Sequence, residues 1–139
     1  GLRLVKYETG FFGMIPIAWE GHSSFRIRDS KEVDGWYDIS GCKLQVNEWS
    51  HYVVSYNAKT ETAYAYINGQ LVGSMKNVPG NRYAKRIVLG GDVFQPSFIG
   101  KICEVTFYNE IRDHDFVSEL HQSYVTRDDF IGFEIGIDK

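Results

Sequence analysis

A chain of 139 residues has room for one core and not for two. Its formal charge of −3 shows no clustering of either sign, which argues against a nucleic-acid footprint, and no apolar run approaches the roughly 20 residues that span a bilayer. Aromatics make up 15 % of the chain, and such rings favour half-buried pleated surfaces. Gly1 rather than Met begins the sequence and no secretory signal is present, so an excised or processed piece is expected.

In chain order, strands are predicted over residues 2–8, 11–19, 22–29, 35–39, 42–47, 50–57, 61–68, 70–75, 85–90, 98–108 and 130–137. Turn signals separate them: Thr9-Gly10, Glu20-Gly21, Asp34-Gly35, Ser40-Gly41, Asn68-Gly69, Pro79-Gly80-Asn81 and Gly90-Gly91-Asp92. Asn68-Gly69 is the strongest of these, because a two-residue hairpin loop needs positive φ at both positions. Such close punctuation predicts an all-β, two-sheet antiparallel sandwich rather than alternating β and α units. One short helix is predicted within residues 111–121, where Phe116, Val117 and Leu120 fall at helical spacing. Asp113 is placed to cap it, and Asp115 adds negative charge to its first turn.

Four pieces between Trp49 and Asn109 carry a resemblance to the second half of a known fold. They are Trp49-Ser50-His51-Tyr52, then Tyr66-Ile67-Asn68-Gly69-Gln70-Leu71-Val72, then Leu89-Gly90-Gly91-Asp92, then residues 100–109, GKICEVTFYN. In this order they resemble the concanavalin A-like and laminin G-like jelly rolls, including the lectin modules attached to sialidases. The resemblance implies a single lectin-like β-sandwich domain over residues 1–139, with the helix packed across the sandwich edge. The first part of the chain is less typical, so some N-terminal strands of a complete domain are expected to be absent. The sheet edge left unpaired would then be covered by a neighbouring domain, a second chain or the closing strand Phe130–Ile137. Leu2–Tyr7 and Phe130–Ile137 are expected to lie side by side.

Catalysis finds little support in the residues. Glu32-Val33-Asp34 begins the Glu-x-Asp-x-Glu pattern that some folds of this type use for glycoside hydrolysis, but Trp36 or Tyr37 stands where the third acid belongs. There is no nucleophile elbow and no phosphate-cradling loop. Relatives often hold a structural calcium ion; Asp92 in the Gly-Gly-Asp turn is the candidate ligand, and Asp29, Asp34, Asp38 and Glu104 are further oxygens without diagnostic spacing. The competing role for Asp92 is to satisfy turn amides. Cys42 and Cys103 lack zinc-ligand spacing and fit either one disulfide or two buried thiols.

Binding is better supported. A sugar site pairs an aromatic ring with planar polar side chains, and arginine captures carboxylates through two parallel hydrogen bonds. His22 opens a strand on which Ser24, Arg26 and Arg28 share one face, because strand side chains alternate. Trp36 and Tyr37 follow a loop, and Tyr64 and Tyr66 share one face of a later strand. These eight residues form the candidate ligand set if they converge; the alternative is that Tyr64 and Tyr66 belong to the core. The expected function is a non-catalytic carbohydrate-binding or adhesive module of a larger extracellular or surface protein, with a sialylated or otherwise acidic glycan as partner. The rival is a structural or interaction domain in a multi-chain assembly such as a toxin, a viral fibre or a processed enzyme; a glycoside hydrolase ranks last.

Overall fold

A computed structural model describes residues 2–5, 11–15, 24–28, 36–40, 45–78, 86–90 and 99–126. These contain strands β1 (Leu2–Val5), β2 (Phe11–Ile15), β3 (Ser24–Arg28), β4 (Trp36–Ser40), β5 (Tyr52–Asn57), β6 (Thr62–Ile67), β7 (Gln70–Met75) and β8 (Arg86–Leu89), followed by helix α1 (His114–Val125). One antiparallel sheet runs β4-β3-β2-β1-β8, the other β5-β6-β7.

The three-stranded sheet follows from local chemistry. Asn57 Oδ1 accepts the backbone N–H groups of Lys59 and Thr60 at 3.0 and 3.2 Å, turning the chain from β5 into β6. Asn68 and Gly69 then take φ of 50° and 77°, the left-handed pair a two-residue hairpin loop requires. Across β6, Ala63, Ala65 and Ile67 are buried with Val78, and Tyr52, Val54, Tyr56 and Met75 pack around them. The Tyr56 hydroxyl donates to the Val78 carbonyl at 2.7 Å, and the Val78 N–H donates to the Glu61 carbonyl at 2.8 Å, which draws the chain beyond β7 back onto this core.

The core continues into the larger sheet through Ile39 of β4, only 5 % exposed. Its partner on β7 is Gly73: a methyl group added there would meet Ile39 Cγ2 at 2.5 Å. The small residues Ala65 and Gly73, paired across β6 and β7, therefore allow β4 to approach closely.

Ile39 also fixes the parity of its sheet. Through the ladders, position 39 lies opposite Phe25, which lies opposite Met14, then Leu2, then Leu89. The row two residues away, Tyr37, Ile27, Phe12, Leu4 and Ile87, shares that face and is equally apolar. A one-residue slip would exchange these apolar rows for ones that include four arginines and Asp38, so the pattern specifies the register.

Helix α1 lies over the other face of the small sheet. Asp113 Oδ1 accepts the Phe116 N–H at 2.9 Å, as the predicted cap should, and Val117 is fully buried. Ser55, on the helix side of β5, donates its hydroxyl to the Arg112 carbonyl at 2.8 Å and accepts the Arg112 N–H at 3.3 Å. The Arg112 guanidinium sits 4.5 Å from both the Tyr108 and the Phe116 ring centroids and 3.0 Å from Glu110, holding the helix start to the preceding segment. The helix thus covers a sheet face rather than the edge expected for it.

Three strand predictions are corrected. Residues 45–50 form a turn and bend, with Asn47 at φ 63°, where a strand over 42–47 was expected; 42–44 lie outside the described residues. Residues 99–108 keep the apolar alternation of a strand but form none: Glu104 takes φ 53°, which breaks an extended run, and Ile99 is 93 % exposed. The strand expected over 50–57 begins only at Tyr52, and Trp49 before it is 58 % exposed. The pairing of Leu2–Tyr7 with Phe130–Ile137 is also overturned: β2 and β8 occupy both edges of β1, and residues 130–137 lie outside the described residues.

Candidate ligand face

The face of the five-stranded sheet opposite Ile39 is built from two rows of positions. One reads Asp38, Arg26, Gly13, Arg3, Val88 from β4 to β8, and the other reads Trp36, Arg28, Phe11, Val5, Arg86. Ser24 and Ser40 extend the face beside Ile15. Four arginine positions and Asp38 share this parity, with Trp36 directly opposite Arg28 and Asp38, half-buried, directly opposite Arg26. Adjacent strands lie about 4.8 Å apart, so positions 26 and 3, separated by Gly13 on the intervening strand, stand roughly 10 Å apart.

Of the expected ligand set, the ladders bring Ser24, Arg26, Arg28 and Trp36 onto one face. Tyr37 pairs with Ile27 and takes the parity of Ile39, which separates it from Trp36. Tyr64 and Tyr66 belong to β6, in the other sheet. Tyr66 is 4 % exposed, with its ring stacked 6.0 Å from His114 of the helix. Burial first, then the neighbouring Tyr64 and Asp113, push the Tyr66 hydroxyl pKa up. These tyrosines therefore do not converge with the arginine strand. His22 and Asp92 lie outside the described residues, as do Glu32 and Asp34.

Arg3 and Arg86 were missed. Each stands in an alternating run, Leu2-Arg3-Leu4 and Arg86-Ile87-Val88, but only the pairing of β1 with both β2 and β8 places them with Arg26 and Arg28. Among the described residues, no three of His, Cys, Asp and Glu come together as a cation site, and Asp38 and Glu104 are the only members of the expected calcium set described. Cys103 is a half-buried free thiol; Cys42 lies outside the described residues.

The Laminin_G_3 family model, described as the Concanavalin A-like lectin/glucanases superfamily, matches residues 5–118. No curated protein matches the chain. Among solved structures, the chain is similar to a crystal structure of an S-layer domain-containing protein (residues 221–444) from Clostridium thermocellum, at 18 % identity and a TM-score of 0.49. The similarity covers 80 % of this chain and 56 % of that one, so the chain spans a little over half the length of that structure.

Proposed function

Because the chain belongs to the Concanavalin A-like lectin/glucanases superfamily, we propose that it is a non-catalytic carbohydrate-binding module of an extracellular or surface protein, with its site on the outer face of the five-stranded sheet. The proposal takes the two sheets as the two layers of one jelly-roll sandwich within a single domain. The observation that carries it is the register: Ser24, Arg26 and Arg28 stand opposite Ser40, Asp38 and Trp36, on the parity opposite Ile39. Guanidinium forks supply paired donors, Asp38 an acceptor and Trp36 a stacking ring, which together suit a glycan carrying a carboxylate. No described helix is long and apolar enough to cross a membrane.

The test is a glycan array on the wild-type chain and on Arg26→Ala and Arg28→Ala. A hydrogen bond to a charged group contributes about 1.5–3 kcal/mol, so each variant should weaken binding roughly 10- to 100-fold. Unchanged affinity in both variants would remove the site from this face.

A second reading is favoured by a different observation. Ile99, Val105, Phe107 and Tyr108 are all exposed along one segment that forms no strand, as an interaction domain that meets a protein partner would present them. Stable self-association or co-purification through that segment, with no glycan bound, would support it over the first.

A further inference from the structure

We propose that His51 and His121 form a pH-sensitive clasp: their stacked rings hold helix α1 on the β6–β7 hairpin while His51 is neutral, and protonation of His51 releases the helix. The inference is independent of glycan binding. His51 is anchored through its backbone, with its N–H donating to Asn68 Oδ1 at 2.9 Å and its carbonyl accepting the Asn68 N–H at 2.8 Å. Its position is therefore fixed by the hairpin turn and not by the helix. Its ring lies parallel to that of His121, with centroids 5.7 Å apart and planes 10° apart, and Tyr124 packs against it at 5.1 Å. His121 in turn rests on the turn itself: a methyl group at Gly69 would meet its Cβ at 3.2 Å. One imidazole from the helix and one from the residue before β5, tied to the turn through Asn68, thus help hold the second half of the helix to the hairpin.

The hydrogen-bond inventory makes this contact titratable. Nδ1 of His51 and Nδ1 of His121 are both buried without a partner. A neutral His51 ring tolerates an unpaired acceptor nitrogen, but protonation converts that atom into a charged donor, and the ring would then bury an unanswered N–H against the helix. The groups facing His51 are His121 and Tyr124 from the helix, Asn68 from the turn and Glu104 from the preceding segment. At the other end of the helix, Asp113 and His114 stand beside Tyr66 rather than beside the clasp. Burial lowers the His51 pKa most, the His121 charge lowers it further, and Glu104 opposes both. A base whose pKa is lowered on docking favours the docked state above its ordinary pKa of 6.5, and this contribution is lost as pH falls below that value.

Hydrogen exchange of the intact chain at about pH 7.5 and about pH 5, corrected for intrinsic rates, tests the clasp. The amides of residues 114–126 should lose protection several-fold at the lower pH while the β5–β6 ladder keeps its own. In His51→Gln, which removes the titrating ring, the pH response of the helix should shrink; His121→Phe, which keeps an aromatic ring but removes the imidazole that lowers the His51 pKa, should shrink it too if the first variant folds poorly. Equal helix protection at both pH values, or an undiminished response in a folded variant, overturns the proposal.

Discussion

Replacing Gly73 by alanine probes the contact between the two sheets at its narrowest point. The new methyl would stand 2.5 Å from Ile39 Cγ2, against about 3.5–4.0 Å for unstrained carbon atoms, so roughly 1 Å of movement is demanded of a buried strand pair. Overpacking of this kind costs about 1–3 kcal/mol. Gly73 does not have a left-handed φ, so alanine fits its backbone and recovers about 0.4–1 kcal/mol through the unfolded chain. The net loss should be about 1–2 kcal/mol. In urea, with a slope of about 1–3 kcal/mol per molar, that lowers the midpoint by roughly 0.3–2 M without changing the slope. Ile39→Ala alone should cost about 2–5 kcal/mol as a cavity, yet it removes the methyl that the new Cβ meets. The double variant should then be at least about 1 kcal/mol more stable than the sum of the single losses predicts. Additivity to within about 0.5 kcal/mol would refute the contact between β4 and β7.

Two further substitutions test the helix that covers the small sheet. Asp113→Ala removes the acceptor for the Phe116 N–H and should lower stability by about 1 kcal/mol in thermal or chemical unfolding, while Asp113→Asn should retain most of it. Ser55→Ala leaves the Arg112 N–H and carbonyl without their buried partner and should cost about 1–3 kcal/mol; a neutral result would place the helix start elsewhere than over β5.

What the sequence made legible were features decided by neighbouring residues. Asn68-Gly69 dictated a hairpin because few other pairs tolerate two left-handed residues, and Asp113 dictated a helix start because its carboxylate reaches an amide three residues on. Period-two spacing marked most of the strands and correctly put Arg26 and Arg28 on one parity. Sheet membership was not legible. Alternation along β3 and β6 is similar, yet β3 joins the large sheet and β6 the small one, a choice made by partners distant in the chain. The same limit hid Arg3 and Arg86, which meet the other arginines only through ladders that β1 makes with β2 and with β8. Tyr66 shows a second limit: an outward parity on a strand reads as ligand-accessible until a helix lies over it. In residues 99–108, alternation alone did not make a strand once Glu104 left the extended region.

Backbone amide chemical-shift mapping, with the strongest-bound glycan of the array titrated into the labelled chain, examines the ligand face most directly. The perturbations should concentrate at Ser24–Arg28 and Trp36–Ser40, spread to Phe11–Ile15, and leave Thr62–Ile67 and the helix unmoved. Shifts centred on the small sheet or on α1, or no response to any glycan, would contradict a sugar site on the arginine-bearing rows.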